Sequence, residues 1–415
     1  MTPPAAGHPP ADRTPADPPP GRLRIALFSG GRGGASIARH LLRTPRTDLS
    51  LLINGYDNGH STGALRRYLP GMLGPSDFRK NLLLHLNDTD PRHTALRTVL
   101  EHRLPPASTP DDLTTLTDRL ARGTALPALP AAARTAITRD LTAFLHHLHH
   151  HPGLDLADCA LGNLVLTGAY LRLNRDFNAA VTSCAATFAT PARLLNVTDG
   201  RNAFLTALKH DGRLLTDEAD IVAPQDAVAI TDLFLLDAPL TPHRQAALQA
   251  LPPDRLRAAL TGARAPLTLN PHARHALTHA DLIVYGPGTP HSSLLPSYLT
   301  PGLSDAITAN PTAAKVFIVN IDDDHDVQGL DAPALLERTL AYLADPLNER
   351  RTVTHVLCHR TRTAPASGDT GPGRTAARWI TEDLEDPRRP GAHCGRRTVA
   401  ALTRIAAGTS LVGAG

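Results

Sequence analysis

Aromatic residues are scarce in this 415-residue chain, at 4% of the total. The base-stacking platforms of RNA- and single-strand-binding domains are therefore not expected. Nor is there an excess of one charge. The formal net charge is +3, with both signs mixed along the chain, whereas a nucleic-acid footprint needs cations gathered on one face. The four cysteines, Cys159, Cys184, Cys358 and Cys394, are far apart in sequence. That spacing excludes a CxxC metal or redox motif and suggests reduced thiols. No apolar run approaches the roughly 20 residues of a membrane span. The proline-rich beginning lacks the apolar core of a secretory signal. These absences lead to the expectation of a soluble cytoplasmic protein with neither nucleic acid nor membrane as partner. Hydrophobic residues make up 42% of the chain, enough to build a core. The length suits one large α/β domain with insertions, or two domains.

Residues 1–22 are rich in proline and poor in large apolar side chains, and read as a disordered leader. Leu23 to Phe28 is a short apolar run ending in glycines, as a buried parallel strand would. Ala35 to Arg43 has helical spacing with Ile37, Ala38 and Leu41 inward, and Asp48 to Asn54 reads as a second strand. Strand, glycine turn, helix and strand open a doubly wound, mostly parallel α/β sheet. Residues 91–152 change character, with Leu, Ala, Thr, Arg and His at helical spacing broken by prolines, and read as a helical insertion. The sheet domain is then expected over 23–90 and 153–415. The cluster His146-His147-Leu148-His149-His150-His151 admits a metal pair at i and i+4 or a solvated helix end. Its lack of acidic or cysteine partners favours the latter. Further on, Leu161 to Arg172 reads as a helix, Ala280 to Tyr285 and Lys315 to Asn320 as buried strands, and Pro333 to Leu343 as a helix. Residues 364–395 look loop-rich, and Arg397 to Ile405 reads as a closing helix.

Five segments carry ligand chemistry. In Ser29-Gly30-Gly31-Arg32-Gly33-Gly34, glycines let the backbone approach a phosphate, and the following helix offers free N–H groups and a positive dipole end. The pattern is neither GxGxxG nor a P-loop, and a plain strand-to-helix turn is its simplest alternative. Asn54 to Arg67 begins where the second strand ends, the edge at which doubly wound folds bind ligands. Within it Asp57 can hold a divalent cation or orient a hydroxyl. Ser61 and Thr62 offer hydroxyls, Gly59 and Gly63 backbone N–H groups, and Arg66 a phosphate partner. In Gly74 to Leu82, Ser76 or Asp77 can cap a helix from which Arg79 and Asn81 reach out. Asn163, in Leu161-Gly162-Asn163-Leu164, suits either a ligand contact or a helix cap. Tyr285-Gly286-Pro287-Gly288-Thr289-Pro290-His291-Ser292 is a strand followed by a second glycine turn and hydroxyls, a further phosphate-type cradle.

Taken in order, these segments resemble the superfamily that unites 2-phospho-L-lactate transferases with the bacterial gluconeogenesis factor family. The glycine turn is similar to its GGGTG opening, and Asp57 to Arg66 to its DDGGSSGRLR-like segment. Gly74 to Lys80 is similar to PPGDIRN, Gly162-Asn163-Leu164 to its GNL helix, and Gly286 to Thr289 to a GPGS-type turn. The likeness spans roughly residues 23–90 and 155–345, and its details lean toward the gluconeogenesis factor branch. It implies a Rossmann-like fold. It implies a nucleoside diphosphate or nucleotide sugar as ligand and leaves a homo-oligomer open. The resemblance also implies two alternative functions. One is a Mg²⁺-assisted transferase of phosphorus-containing groups, with Asp57 as metal ligand and Asp57, Arg66 and Arg79 as catalytic residues. The other is a non-catalytic UDP-sugar-binding regulator of metabolism. Under either, Gly30, Gly31, Arg32, Gly33, Gly34, Ser61, Thr62, Gly63, Asp77, Asn81, Asn163, Gly286, Gly288, Thr289 and Ser292 are the expected ligand contacts. The chain departs from the family pattern where Arg32 replaces a glycine, Gly33 a threonine, Asn58 an acidic residue and His60 a glycine. Lys80 stands at a family asparagine, with Asn81 one place later.

Overall fold

A computed structural model describes residues 21–30, 33–224, 226–322, 327, 329–362 and 377–412. The leader read at 1–22 lies outside the described residues up to position 20, as do Gly31 and Arg32 of the first glycine turn. The strands are, in chain order, β1 Leu23–Phe28, β2 Thr47–Ile53, β3 Arg193–Asn196, β4 Phe204–Lys209, β5 Leu214–Leu215, β6 Ile230–Leu236, β7 Leu282–Tyr285, β8 Ala314–Ile318, β9 His355–His359, β10 Arg378–Glu382, β11 Glu385–Asp386 and β12 Arg389–His393.

Seven of them form one sheet in the order β10-β9-β8-β7-β1-β2-β3, and every neighbouring pair is parallel. The inner strands β1, β2, β7 and β8 are largely apolar, buried runs, as expected where helices cover both faces of a sheet. From β1 the chain steps outward through β2 to β3, then returns to β1's other side at β7. The junction of β1 and β7 is thus the topological switch point, where the loops leaving the strands diverge and open a crevice. The α/β doubly wound, Rossmann-like reading is what the sheet shows.

The helices Ala35–Arg43 and Leu161–Arg172 fall where the sequence placed them, and Ile37, Ala38 and Leu41 are buried. Elsewhere the ends of the expected strands and helices differ by one or two residues, except that the closing helix expected at Arg397 to Ile405 runs over Gly395–Val412. Residues 91–152 contain the helices Pro91–Glu101, Pro110–Ala121 and Ala131–His150. The last of these crosses Leu161–Arg172 closely. A Cβ on Gly168 would meet the Asp140 carbonyl oxygen at 1.8 Å, so only glycine permits that approach. Within the same contact the fully buried Asp140 carboxylate accepts from Arg172 Nε at 2.7 Å.

Strands β3 and β9 of the main sheet were not anticipated, nor were two further parts. The loop-rich reading of 364–395 is corrected: β10 extends the main sheet at its edge, and β11 and β12 form an antiparallel hairpin. Residues 363–376 lie outside the described residues. A separate antiparallel sheet, β5-β4-β6, packs on the helix Pro253–Gly262 around a small core of Leu208, Leu214, Phe234, Leu236, Leu256 and Leu260.

Candidate functional site

The two glycine turns leave adjacent strands. Ser29–Gly34 follows β1 and Gly286–Thr289 follows β7, the two strands flanking the switch point. They pack back to back. A Cβ on Gly30 would lie 2.3 Å from Ser293 Cβ, and one on Gly33 would lie 2.8 Å from Gly288 Cα. The glycines are therefore required by the meeting of two backbones as well as by any ligand. Asparagines from three neighbouring segments fix the pair. Asn54 Nδ2 donates to the Ser293 carbonyl at 2.6 Å. Asn320, just beyond β8, accepts from Gly288 N–H at 3.1 Å and donates to its carbonyl at 3.0 Å. Ser29 donates to Asn81 Oδ1 at 3.1 Å.

A cleft of about 780 Å³ opens above the turns. Of the residues expected to contact ligand, Gly33, Asp57, Asp77, Gly288, Thr289 and Ser292 line it. The helix Ala35–Arg43 points its first turn at the cleft, and no side chain caps it. Its leading N–H groups have no intrahelical acceptor, which leaves them to an anion.

Of the other expected contacts, Gly31 and Arg32 lie outside the described residues, and the rest do not line the cleft. Arg66 is buried, and its guanidinium donates to the carbonyls of Tyr56 and Ala203 at 3.0 and 2.7 Å and to Asn202 Oδ1 at 2.7 Å. Burial lowers its pKa to about 10, the nearby Asp57 opposing that shift. Arg79 is also buried, donating to Asn163 Oδ1 at 3.0 Å and to the Leu100 carbonyl at 3.2 Å. Both arginines hold the loops in place instead of facing the cleft. Asn163 lies inside the first turn of its helix, whose cap is Ala160; it donates to Ser76 Oγ at 3.2 Å. Ser76 in turn pairs with Thr62, so neither Ser76 nor Asp77 caps the helix Ser76–Leu82. Asn81 is spent on Ser29 and the Asp77 carbonyl. Gly63 N–H bonds the Gly59 carbonyl within its own helix. Ser61 is half-buried in that helix's first turn. Gly34 and Gly286 are buried in the turns, and a Cβ on Gly286 would meet the Phe28 carbonyl at 2.6 Å.

The cleft also gathers residues that sequence reasoning missed. Glu218, at the start of the helix Glu218–Val222, reaches Asp57 and accepts from the Asn58 N–H at 2.7 Å. Burial, reinforced by the charge and hydrogen bond of Asp57, pushes its pKa up to about 8. The raised pKa favours the protonated form of Glu218 beside the Asp57 side chain. Lys80 lies at the cleft and bonds Asp77 at 2.8 Å. Burial works against its ammonium, but Asp77, by charge and hydrogen bond, outweighs burial and holds the pKa above the ordinary lysine value. Arg39 and, from the β11–β12 hairpin, Arg389 complete a basic side. Burial lowers the Arg39 pKa, with Arg43, Arg97 and Arg389 adding like-charge repulsion. Lys80 lay within a quoted motif and Asn320 at a strand's carboxyl end, so both carried a positional signal. Glu218 carried none beyond a short acidic run.

Among the described residues no group of three His, Cys, Asp or Glu side chains is arranged to hold a metal ion. That holds for the His146–His151 cluster too, where His150 Nδ1 bonds the His146 carbonyl at 2.7 Å. Asp57 with Glu218 is nonetheless a hard two-carboxylate set of the kind Mg²⁺ uses when phosphates and water supply its other oxygens. No helix among the described residues is long and apolar enough to cross a membrane.

Comparison with known proteins agrees with this geometry. The chain is 25% identical over 298 residues to the gluconeogenesis factor of Bacillus subtilis (strain 168), covering 72% of this chain and 68% of that protein. It is likewise 25% identical over 298 residues to the gluconeogenesis factor of Listeria monocytogenes serovar 1/2a, covering 72% and 66%. In fold it is similar to the crystal structure of a protein member of the UPF0052 family from Bacillus halodurans. That match has a TM-score of 0.61 at 20% identity, over 92% of this chain and 99% of that one. The model of the family described as 2-phospho-L-lactate transferase CofD matches residues 25–394, most of the chain, with both glycine turns and the carboxyl pair included, and the chain belongs to that family.

Proposed function

We propose that the cleft binds a nucleoside diphosphate donor and transfers its phosphorus-containing end to a hydroxyl acceptor. The observation that carries this reading is the Asp57–Glu218 pair, set in the same cleft as the two glycine turns. Phosphoryl-type transfer asks a protein for positioning, charge neutralisation and a place for one proton. The first turn of the helix Ala35–Arg43 and Lys80 hold phosphate oxygens. The acceptor hydroxyl forms a new O–P bond to the distal phosphorus. The bond from that phosphorus to the bridging oxygen breaks, and a nucleoside monophosphate leaves with the electron pair. The hydroxyl proton passes to the ionised member of the carboxyl pair. Asp57, with Glu218 beside it, would hold a Mg²⁺ ion, which supplies neutralisation of phosphate charge when bound.

A second reading, a nucleotide-sugar-binding regulator, is favoured by the name gluconeogenesis factor that the curated relatives carry. It uses the same cradle and needs no proton acceptor. Native mass spectrometry of the purified chain, followed by incubation with Mg²⁺, the bound nucleotide species and hydroxyl acceptors, separates the two. Product formed by the wild type and lost in Glu218→Gln, with ligand binding retained, supports the transferase. Tight UDP-sugar binding without product supports the regulator. If no nucleotide binds, both readings fail.

A further inference from the structure

A second cavity, of about 840 Å³, lies on the far side of the Asp57 loop and shares no lining residue with the first. Its walls come from the helix His60–Tyr68, the loop before β4, and the segment after β6. Its size is that of a small-molecule site. The lining is mostly apolar, with the half-buried ring of Phe204 beside Leu240 and Pro266. The Arg66 guanidinium stacks 5.5 Å from the centre of the Phe204 ring, and its Nε is buried without a hydrogen-bond partner. Two further guanidinium groups, Arg67 and Arg201, stand exposed at the cavity, and neither side chain has an ion pair or hydrogen bond among the described residues. The one carboxylate on the lining is Asp237.

We propose that this cavity is a second binding site, and that it takes a small organic anion with a flat aromatic body. The ring lies on the Phe204, Leu240 and Pro266 surface, and the acidic group is held by Arg67 and Arg201. A flat apolar surface beneath unpaired guanidinium groups suits this class, since such groups bind oxyanions through paired N–H donors and stack on π-faces. A neutral apolar ligand would leave both arginines without a partner, and a cation would meet three of them. The site does not depend on what the first cleft does. It shares a wall with it: Asn58 lines the second cavity while its N–H holds Glu218, and Arg66 holds the Asp57 carbonyl.

The test uses 2-naphthalenesulfonate as probe, titrated into the full chain by calorimetry, with 2-naphthalenemethanol as neutral control. The sulfonate should bind at least tenfold more tightly than the alcohol. The double variant Arg67→Ala/Arg201→Ala should lose about tenfold or more in affinity, one order per 1.4 kcal/mol. Asp237→Asn should bind more tightly, because it removes the like charge. The probe should bind to protein already saturated with UDP. The proposal is overturned if the wild type does not bind the probe, if the double variant binds it as the wild type does, or if UDP displaces it.

Discussion

Glu218 and Asn58 are 160 positions apart in sequence, yet the carboxyl group of one caps the backbone of the other, and Asp57 hydrogen-bonds it. A carboxyl whose folded pKa lies near 8, above its unfolded value near 4.3, binds more protons folded than unfolded between those two pH values. Its contribution to stability is therefore lost as pH rises through that window. Glu218→Gln should flatten the fall in melting temperature between pH 5 and 8, and leave the chain more stable than the wild type at pH 8. A steeper fall in the variant would contradict the raised Glu218 pKa. At Lys80 the expectation is different. Lys80→Ala removes a cation that lines the cleft beside Asp77, and should weaken nucleoside diphosphate binding by about tenfold, read by calorimetry. The residues that hold the loops were visible in the sequence as polar motifs, but their direction was not. Arg66 and Arg79 stand in ligand-like patterns, and only the fold turns them onto carbonyl groups.

Among the elements, Leu23–Phe28, Ala35–Arg43 and Thr47–Ile53 were legible because glycines punctuate the strands and a turn opens the helix, whereas the helix His60–Tyr68 lies in a segment read only for its ligand-capable groups. The small β5-β4-β6 sheet was not. Phe204–Lys209 and Ile230–Leu236 are apolar runs like any buried segment, and their antiparallel register is set across an intervening helix. Glu218 rides on that helix, so missing the sheet meant missing the carboxyl. The close packing of elements makes two strong predictions. Gly30→Ala places a methyl group on Ser293 and should lower stability by about 1–3 kcal/mol in chemical denaturation while reducing nucleotide binding. Asp140→Ala leaves Arg172 without its buried partner and should cost about 3–5 kcal/mol. A loss under 1 kcal/mol would show that the contact between Ala131–His150 and Leu161–Arg172 does not depend on it.

For the molecule as a whole, the parallel sheet brings the acidic pair, the cradles and the basic residues to one edge from segments spread between Gly33 and Arg389. A ligand in the cleft touches loops from both sides of the switch point, so binding should stabilise the entire fold. At 100 times the dissociation constant, a nucleoside diphosphate should add about 2.7 kcal/mol to the unfolding free energy, seen as one cooperative shift. Separate transitions for the two sides of the sheet would contradict this.

The meeting of the two glycine turns has a further consequence for descent. A Cβ at position 30 would meet not only Ser293 Cβ but also the Ser293 backbone, its carbonyl oxygen at 2.8 Å and its Cα at 3.0 Å, so no loss of side chain at 293 makes room for one at 30. Lineages of this family should therefore keep glycine at position 30 whatever stands at 293. A family alignment with larger residues at position 30 would show that the turns are spaced differently elsewhere.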